Sequence, residues 1–187
     1  ELTELRSSVV AAQLGEEAIS TSVIAGAIGL IIVILFMIIA YRVPGIVAGI
    51  ALILYTVLML ITLNAFDITL TLPGIAGIIL GIGMAVDGNV IIYTRIREEI
   101  GAGKSVESAI LSGYNKATSS IVDGNVTTLI AALVLYIFGT GPVKGFATTL
   151  AVGNIVSIFT SLVITKVIMK LLYNFGIRDA KWYGKNV

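Results

Sequence analysis

Apolar residues occur along the chain in five long runs, separated by short polar or charged connections. A helix needs roughly 20 apolar residues to cross about 30 Å of hydrocarbon, and each run reaches that length. Backbone groups in lipid must be satisfied within their own segment, so helices are the expected conformation. The pattern predicts an all-α membrane protein, a five-transmembrane-helix bundle within residues 20–173. The predicted spans are residues 20–41, 44–63, 69–94, 117–138 and 142–166.

Three polar stretches flank or interrupt these spans. Residues 1–19 are mixed in charge and are predicted to form an extracytoplasmic tail, and residues 174–187 a cytoplasmic tail. Residues 105–115 begin with a potential helix cap, Ser105, followed by apolar residues at helical spacing. This stretch predicts a short amphipathic helix on the cytoplasmic surface, which is either a plain connection or a coupling element.

Lys and Arg are distributed unequally between the connections, and the asymmetry predicts the orientation in the membrane. Only Arg6 and Lys144 fall on one side of the predicted bundle, and the other ten fall on the opposite side. Because cytoplasmic loops carry the excess of basic residues, the side with ten of them is predicted to be the cytoplasmic side. The C-terminus is predicted to be cytoplasmic and the start of this chain to lie outside.

Composition excludes several classes of protein. Hydrophobic residues make up 57% of the chain and charged residues 12%, about half the share found in soluble domains, so neither a soluble domain nor a disordered chain is expected. There is no Cys and no His, so we expect no disulfide, no metal site and no cofactor. A net charge of +1 argues against nucleic acid as a partner.

Asp87 and Asp123 are carboxylates inside predicted spans, where an Asp near the helix centre costs roughly 2.5–3.5 kcal/mol. Such residues are functional by default and usually face the bundle interior. Both occur in the same pentapeptide, VDGNV, at residues 86–90 and 122–126. No Lys or Arg of this chain lies at their predicted depth, so a basic partner would belong to another polypeptide.

The two copies of VDGNV lie at similar predicted depths. Asp87 precedes the end of its span by seven residues, and Asp123 follows Lys116 by seven. At about 1.5 Å per residue both lie roughly 10 Å inside the same membrane edge, and antiparallel helices would let them face each other. Asn89 and Asn125 follow about 200° further round each helix, nearly opposite the Asp, unless the intervening glycines loosen the helix. These two Asp and two Asn residues are the candidate proton-relay set.

Small residues line the third span. Gly77, Gly81 and Ala85 form a small-xxx-small stripe that lets another backbone approach closely, and Gly83 and Gly88 add further small positions. The stripe is explained either by close packing alone or by packing that also allows the helices to slide or tilt.

The fifth span carries a polar stripe of its own. Hydrogen bonding between helices is its expected role. Its members are Asn154, Ser157, Ser161 and Thr165.

Long stretches of the chain resemble the SecD family of protein-export membrane proteins. The third span with its flanks reads TLPGIAGIILGIGMAVDGNVIIYTRIREEI, and the next two spans and the earlier AYRVPGIVAGIALILY follow the family in order. The resemblance covers roughly residues 10–172. It implies membership of the resistance–nodulation–division superfamily. The chain would form half of a pseudo-symmetric transporter, without the first span and the extracytoplasmic head domain of that half.

The resemblance also implies a function. SecD-like proteins act with SecF and the Sec translocase channel to draw unfolded precursor proteins across the membrane, using the proton motive force. Asp87 matches the family's membrane carboxylate, and Asp123 the corresponding position on the next span. The expected partners are therefore SecF, the channel, precursor proteins, the lipid bilayer and protons.

Three alternatives remain open at this stage. One is a proton-driven exporter of lipids or small hydrophobic molecules from the same superfamily, and another is a structural scaffold for SecF and the translocase. The third is an intramembrane aspartyl protease, because paired carboxylates can share a proton and activate water. The Gly-x-Gly-Asp motif of such proteases is not matched, since Met84 follows Gly83, and a protein that is not an enzyme is the leading interpretation.

Overall fold

The computed structural model describes the backbone of residues 2–183, with side chains from Glu17 onward. That part of the chain is helical and contains no β-strand. The α-helices are α1 (Leu2–Tyr41), α2 (Val43–Ala65), α3 (Leu72–Gly101), α4 (Val106–Phe138), α5 (Pro142–Phe159) and α6 (Thr165–Asn174). A π-helical segment, Thr160–Ile164, joins α5 to α6, and a 3₁₀ turn spans Ala180–Tyr183.

Five continuous helical stretches are long and apolar enough to cross a membrane, counting α5 to α6 as one. The predicted all-α bundle is therefore confirmed. The helix starts follow from local chemistry: the Thr71 side chain accepts from the Gly74 amide at 3.1 Å, and Ser105 accepts from the Ser108 amide at 3.4 Å. Proline in the first turns of α2, α3 and α5 has no amide hydrogen to leave unpaired there.

The predicted surface helix at residues 105–115 is not a separate element. It forms the first turns of α4, which continues unbroken to Phe138. Gly113 lies within α4 where this helix packs against α3. Its lack of a side chain lets the two helices approach closely, because a Cβ added there would be 2.5 Å from Ile96 Cγ1. At the other end of the connection α3 runs on to Gly101, beyond the predicted end of its span at residue 94.

The predicted tail at residues 1–19 is also helical as far as it is described. Helix α1 begins at Leu2 and is continuous through this polar stretch, although only Glu17–Tyr41 is apolar enough to cross a membrane. A single residue, Arg42, separates α1 from α2 and adopts a positive φ of 57°. The tail residues from 184 onward lie outside the described part of the chain.

Helix α3 is central to the bundle and packs most extensively against α5 and α4, while α1 packs mainly against α2. The core is richest near the α3–α4 loop, where Tyr93 and Tyr114 are completely buried. Residues after α6 return to this end of the bundle. Tyr183 is buried there, and Arg42 donates to the Lys181 carbonyl at 3.0 Å, which ties the 3₁₀ turn to the α1–α2 connection.

Candidate functional site

Asp87 lies on α3 with its side chain exposed on the surface of this chain, although its neighbours Val86 and Gly88 are buried. Among the described side chains, no hydrogen bond or ion pair engages its carboxylate. The expectation that this residue faces the interior of the chain's own bundle is therefore wrong. The reason is the orientation of α3 about its own axis: its small residues face α5, and the Asp87 carboxylate points away from that contact.

Asp123 is likewise exposed, on α4. Its carboxylate accepts from the Ser119 hydroxyl at 3.3 Å, one helical turn away. Exposed apolar residues surround it on the same helix, including Val126 and Ile130. No contact joins Asp87 to Asp123 among the described residues. Each carboxylate is instead presented on the outer, apolar surface of this chain.

The two asparagines of the repeat share one local geometry. The Asn89 side-chain amide donates to the Ala85 carbonyl at 3.3 Å, and the Asn125 amide donates to the Ile121 carbonyl at 2.7 Å. Both bonds reach back one helical turn, so the repeated pentapeptide produces a repeated hydrogen bond. Asn89 is buried while the adjacent Asp87 is exposed, which agrees with the predicted opposition of Asp and Asn around the helix.

The surroundings of the two asparagines differ. Asn89 is only 2% exposed, and its side-chain carbonyl has no partner among the described atoms. Asn125 is half-buried, and its backbone carbonyl accepts from the Asn154 side chain on α5 at 3.3 Å. The second copy of the repeat is therefore bonded to a neighbouring helix, and the first retains an unsatisfied polar atom.

The predicted small-residue stripe lies at the contact between α3 and α5. A Cβ added at Gly77 would collide with the Thr149 hydroxyl, and one added at Gly88 would lie 3.1 Å from the Ser161 side chain. Ala85, between them, is 2% exposed. The small residues thus allow the two backbones to approach closely.

Gly81 and Gly83 differ sharply although they are two residues apart. Gly81 faces the Tyr55 hydroxyl on α2 and lies against Gly153 on α5, so an added Cβ would collide with that hydroxyl. Gly83 is exposed, and an added Cβ would have no neighbour within 4 Å. The structure therefore does not bring Gly83 into the α3–α5 contact.

The polar stripe of the fifth span is completely buried and includes two contacts between helices. Asn154 bonds α4 as described above, and Thr165 accepts from the Tyr114 hydroxyl at 2.9 Å. Ser157 and Ser161 face the same buried side, and the Ser161 hydroxyl donates to the Ser157 carbonyl at 2.8 Å.

An ion-pair cluster at the α3–α4 loop was missed by the sequence reasoning. The Glu99 carboxylate is nearly buried and pairs with Lys104, at 2.5 Å, and with Lys116. It joins the last turn of α3 to the loop and to α4. A single Glu does not stand out in a connection that contains other charged residues. Only the neighbouring basic residues could have indicated that Glu99 would form ion pairs.

The described acidic residues do not gather into a group that could hold a metal ion. The chemistry available at membrane depth is therefore that of two exposed carboxylates, a buried amide and a set of buried hydroxyls. Carboxylates in an apolar setting can take up and release protons, and they attract a cation on a facing polypeptide.

The chain has clear relatives among known proteins. A family model described as "Protein export membrane protein SecD/SecF, C-terminal" matches residues 1–174. Protein translocase subunit SecD of Acidaminococcus fermentans is 48% identical over 184 residues, which is 98% of this chain and 44% of the relative. Protein translocase subunit SecDF of Bacillus subtilis is 47% identical over 99% of this chain and 25% of its own length.

A solved structure has the same arrangement of helices. The crystal structure of SecDF, a translocon-associated membrane protein from Thermus thermophilus, matches with a TM-score of 0.85 and 41% identity, over 88% of this chain and 23% of that protein. The chain thus spans less than half the length of these relatives.

Proposed function

The chain belongs to the SecD/SecF C-terminal family of protein export membrane proteins, and on that premise we propose that it is the membrane part of a Sec protein-export subunit driven by the proton motive force. Asp87 is the proposed proton carrier. Its proposed partners are SecF, the translocase channel and unfolded precursor proteins. The proposed setting is a bacterial or archaeal cytoplasmic membrane, with the α3–α4 loop on the cytoplasmic side.

The observation that carries this proposal is the exposure of Asp87 at membrane depth. Leaving a carboxylate against lipid is costly, so ionisable residues in spans almost always face other protein or a water-filled cavity. The described residues of this chain provide no cation beside it. A second polypeptide, or a further segment of a longer chain, would cover this surface and supply the basic group. SecF is the proposed source.

Protonation of Asp87 would change how this surface packs. The neutral carboxyl group loses both its desolvation penalty and its attraction to a facing cation. Gly88, the next residue, is where α3 lies closest to Ser161 of the π-helical segment. A change in the packing of Asp87 would therefore be transmitted to the contact between α3 and the π-helical segment that follows α5.

The proton motive force is large enough for this task. Moving one charge across the membrane is worth about 2.3 kcal/mol per 100 mV. That energy shifts an equilibrium between two helix arrangements by roughly 50-fold. Asp123 is proposed as the second carboxylate of the relay, and Asn89 and Asn125 as its other members.

The test is secretion of a reporter precursor in cells that carry the complete protein with Asp87→Asn. The change is nearly isosteric but removes proton exchange, so secretion should fall to the level of a strain that lacks the protein. Asp87→Glu, which keeps the carboxylate, should retain part of the activity. Co-purification of SecF shows that assembly is intact. Normal secretion by assembled Asp87→Asn would refute the proton-carrier role.

Asp123 also supports a second interpretation. Its carboxylate already accepts a local hydrogen bond from Ser119, so a purely structural role in assembly would explain its presence. Asp123→Asn should reduce secretion under the relay proposal, and should reduce only co-purification of SecF under the scaffold alternative. A lipid or small-molecule exporter has no comparable support from the described contacts. A protease is disfavoured because the two carboxylates do not meet.

A further inference from the structure

An open pocket of about 270 Å³ lies where the residues after α6 fold back against the start of α2. We call it the turn pocket, and its lining residues are Val43, Gly176, Ile177, Arg178, Asp179 and Trp182. The chain reverses at Gly176, which adopts a φ of 105° that favours glycine. Bonds from the Gly176 and Ile177 amides to the Tyr173 and Leu172 carbonyls close this turn. The pocket is therefore formed by an ordered helix ending.

The turn pocket lies at the boundary of the membrane. A single residue, Arg42, separates the spanning helices α1 and α2, so their connection cannot extend far into water. Trp182, which lines the pocket, is 55% exposed, and Phe175, which precedes the lining residue Gly176, is 84% exposed. Exposed aromatic rings at helix ends favour the layer between acyl chains and water. The pocket therefore opens at the depth of the lipid headgroups.

Basic groups surround the pocket. The Arg42 guanidinium donates to the Lys181 carbonyl at 3.0 Å, which uses one of its several N–H groups. The Arg178 guanidinium lies 5.3 Å from the centre of the Tyr173 ring. Neither arginine forms an ion pair among the described residues. The carboxylate of Asp179 accepts from the Lys181 backbone amide at 3.1 Å. Two arginines and a lysine against one aspartate leave the site positively charged.

The opposite end of the bundle lacks this combination. A pocket between α2 and α3 is lined there by Leu60, Leu63, Asn64, Asp67, Ile68 and Leu70. Phe66 is exposed beside it, as Phe175 is beside the turn pocket. The lining residues of that pocket include an acid and no basic residue. Exposed aromatic rings and an open pocket thus occur at both membrane boundaries, whereas arginines line the pocket at only one.

We propose that the turn pocket binds the headgroup of an anionic phospholipid. Arg178 and Arg42 donate to the phosphate oxygens, and Trp182 packs against the glycerol and the upper part of an acyl chain. The planar guanidinium matches the geometry of a phosphate, and basic pockets between spanning helices suit anionic headgroups. The site does not rest on the proposed function. Only its assignment to the cytoplasmic leaflet rests on the proposed orientation.

The test is quenching of Trp182 fluorescence by brominated phospholipids, with the complete protein in vesicles of phosphatidylglycerol and phosphatidylcholine. The lipid mixture stays fixed, and either lipid carries the bromine, so the surface charge is constant. The signal of Trp182 is the difference between the wild type and Trp182→Phe. Each basic residue near an anionic lipid contributes a factor of about five, so phosphatidylglycerol should be preferred at least about fivefold. Equal quenching by the two lipids would overturn the proposal.

Variants separate the pocket from the general charge of this end of the bundle. Arg178→Gln should reduce the preference for phosphatidylglycerol about fivefold, and Arg178→Lys should keep part of it. The matched control is Arg95→Gln, which removes a positive charge from the same end at a residue that pairs with Glu98. It should leave the preference unchanged. Equal losses in Arg178→Gln and Arg95→Gln would overturn the pocket as the binding site.

Inorganic phosphate distinguishes a lipid from a soluble anion. The preference should persist in phosphate buffer at the ionic strength of the chloride control, because free phosphate has no acyl chain for Trp182 to contact. Loss of the preference in phosphate alone would overturn the assignment to a lipid. Secretion is not measured in these experiments, so their failure leaves the proposed role of Asp87 unaffected.

Discussion

The side-chain amide of Asn154 on α5 donates to the backbone carbonyl of Asn125 on α4, at 3.3 Å. The acceptor lies in the second copy of the VDGNV repeat, and Asn154 is completely buried. A backbone carbonyl in a helix already accepts one bond from within the helix, and this contact uses its second lone pair. The hydrogen bond fixes the depth of α5 relative to the helix that carries Asp123.

Loss of this bond should loosen α5 against α4. We expect Asn154→Leu, which is similar in size, to lower stability by about 1 kcal/mol, the usual net value of a buried hydrogen bond. The measurement is thermal unfolding of the purified protein in detergent. Asn115→Leu, at an exposed position on α4, is the control and should leave the midpoint almost unchanged. Equal midpoints for both variants would show that the bond contributes no net stability.

Gly81 and Gly83 form a matched pair for testing the contact between α3 and Tyr55 on α2. Gly81→Ala should destabilise the protein by about 1–3 kcal/mol, because the added methyl group collides with the Tyr55 hydroxyl. Gly83→Ala should be neutral or stabilising by up to about 1 kcal/mol, because Ala favours helix and the position is open. Chemical or thermal unfolding distinguishes the two variants.

The double variant Gly81→Ala with Tyr55→Phe identifies the cause. Removing the hydroxyl leaves room for the methyl group, so the second change should recover part of the lost stability. If Tyr55→Phe gives no recovery, the cost of Gly81→Ala arises from a contact other than the one with the Tyr55 hydroxyl.

Glu99 should hold the α3–α4 loop closed. In Glu99→Gln the ion pairs to Lys104 and Lys116 are lost, and we expect trypsin to cleave after Lys104 several-fold faster. Glu98→Gln is the control, because Glu98 pairs only with Arg95 on the exposed side of the same helix. Exposed pairs of this kind contribute little. Equal cleavage rates in the two variants would contradict a role for Glu99 in loop closure.

Arg42 should hold the 3₁₀ turn against the bundle. In Arg42→Ala the bond to the Lys181 carbonyl is lost, so Trp182, the single tryptophan of the chain, should become more accessible to a soluble quencher. Lys181→Ala is the control, since it removes a side chain but keeps the carbonyl that Arg42 contacts. Unchanged quenching in Arg42→Ala would contradict a role for Arg42 in holding the turn.

Hydropathy predicted the number and type of the helices. Each apolar run is long enough to cross a membrane, and a segment in lipid satisfies its own backbone hydrogen bonds by forming a helix. The ends were less predictable. Helix α3 continues to Gly101 because polar residues such as Arg95 and Glu98 are compatible with a helix that emerges from the membrane. The boundary of the hydrocarbon is therefore not the boundary of the helix, and the short helix predicted at residues 105–115 merged with α4.

The candidate site was predictable in identity but not in orientation. Asp87 and Asp123 stand out because a charge within an apolar run is rare, and the repeat identifies both at once. Which way each points depends on tertiary packing: close contact at Gly88 places α3 against the π-helical segment after α5 and leaves Asp87 outside. Tyr55 was overlooked because a tyrosine within an apolar run gives no sign that its hydroxyl will be buried without a partner.

The π-helical segment Thr160–Ile164 changes the phase of the helix that it interrupts. The Thr165 amide bonds to the Thr160 carbonyl, five residues back, so this turn holds one residue more than an α-turn. If the same residues formed a regular α-helix, Thr165 and Met169 would be rotated by about 100° away from the bundle. Deleting Val163, which is exposed within the segment, would therefore convert it to regular α-helix while keeping Thr165 and Met169 on the buried side.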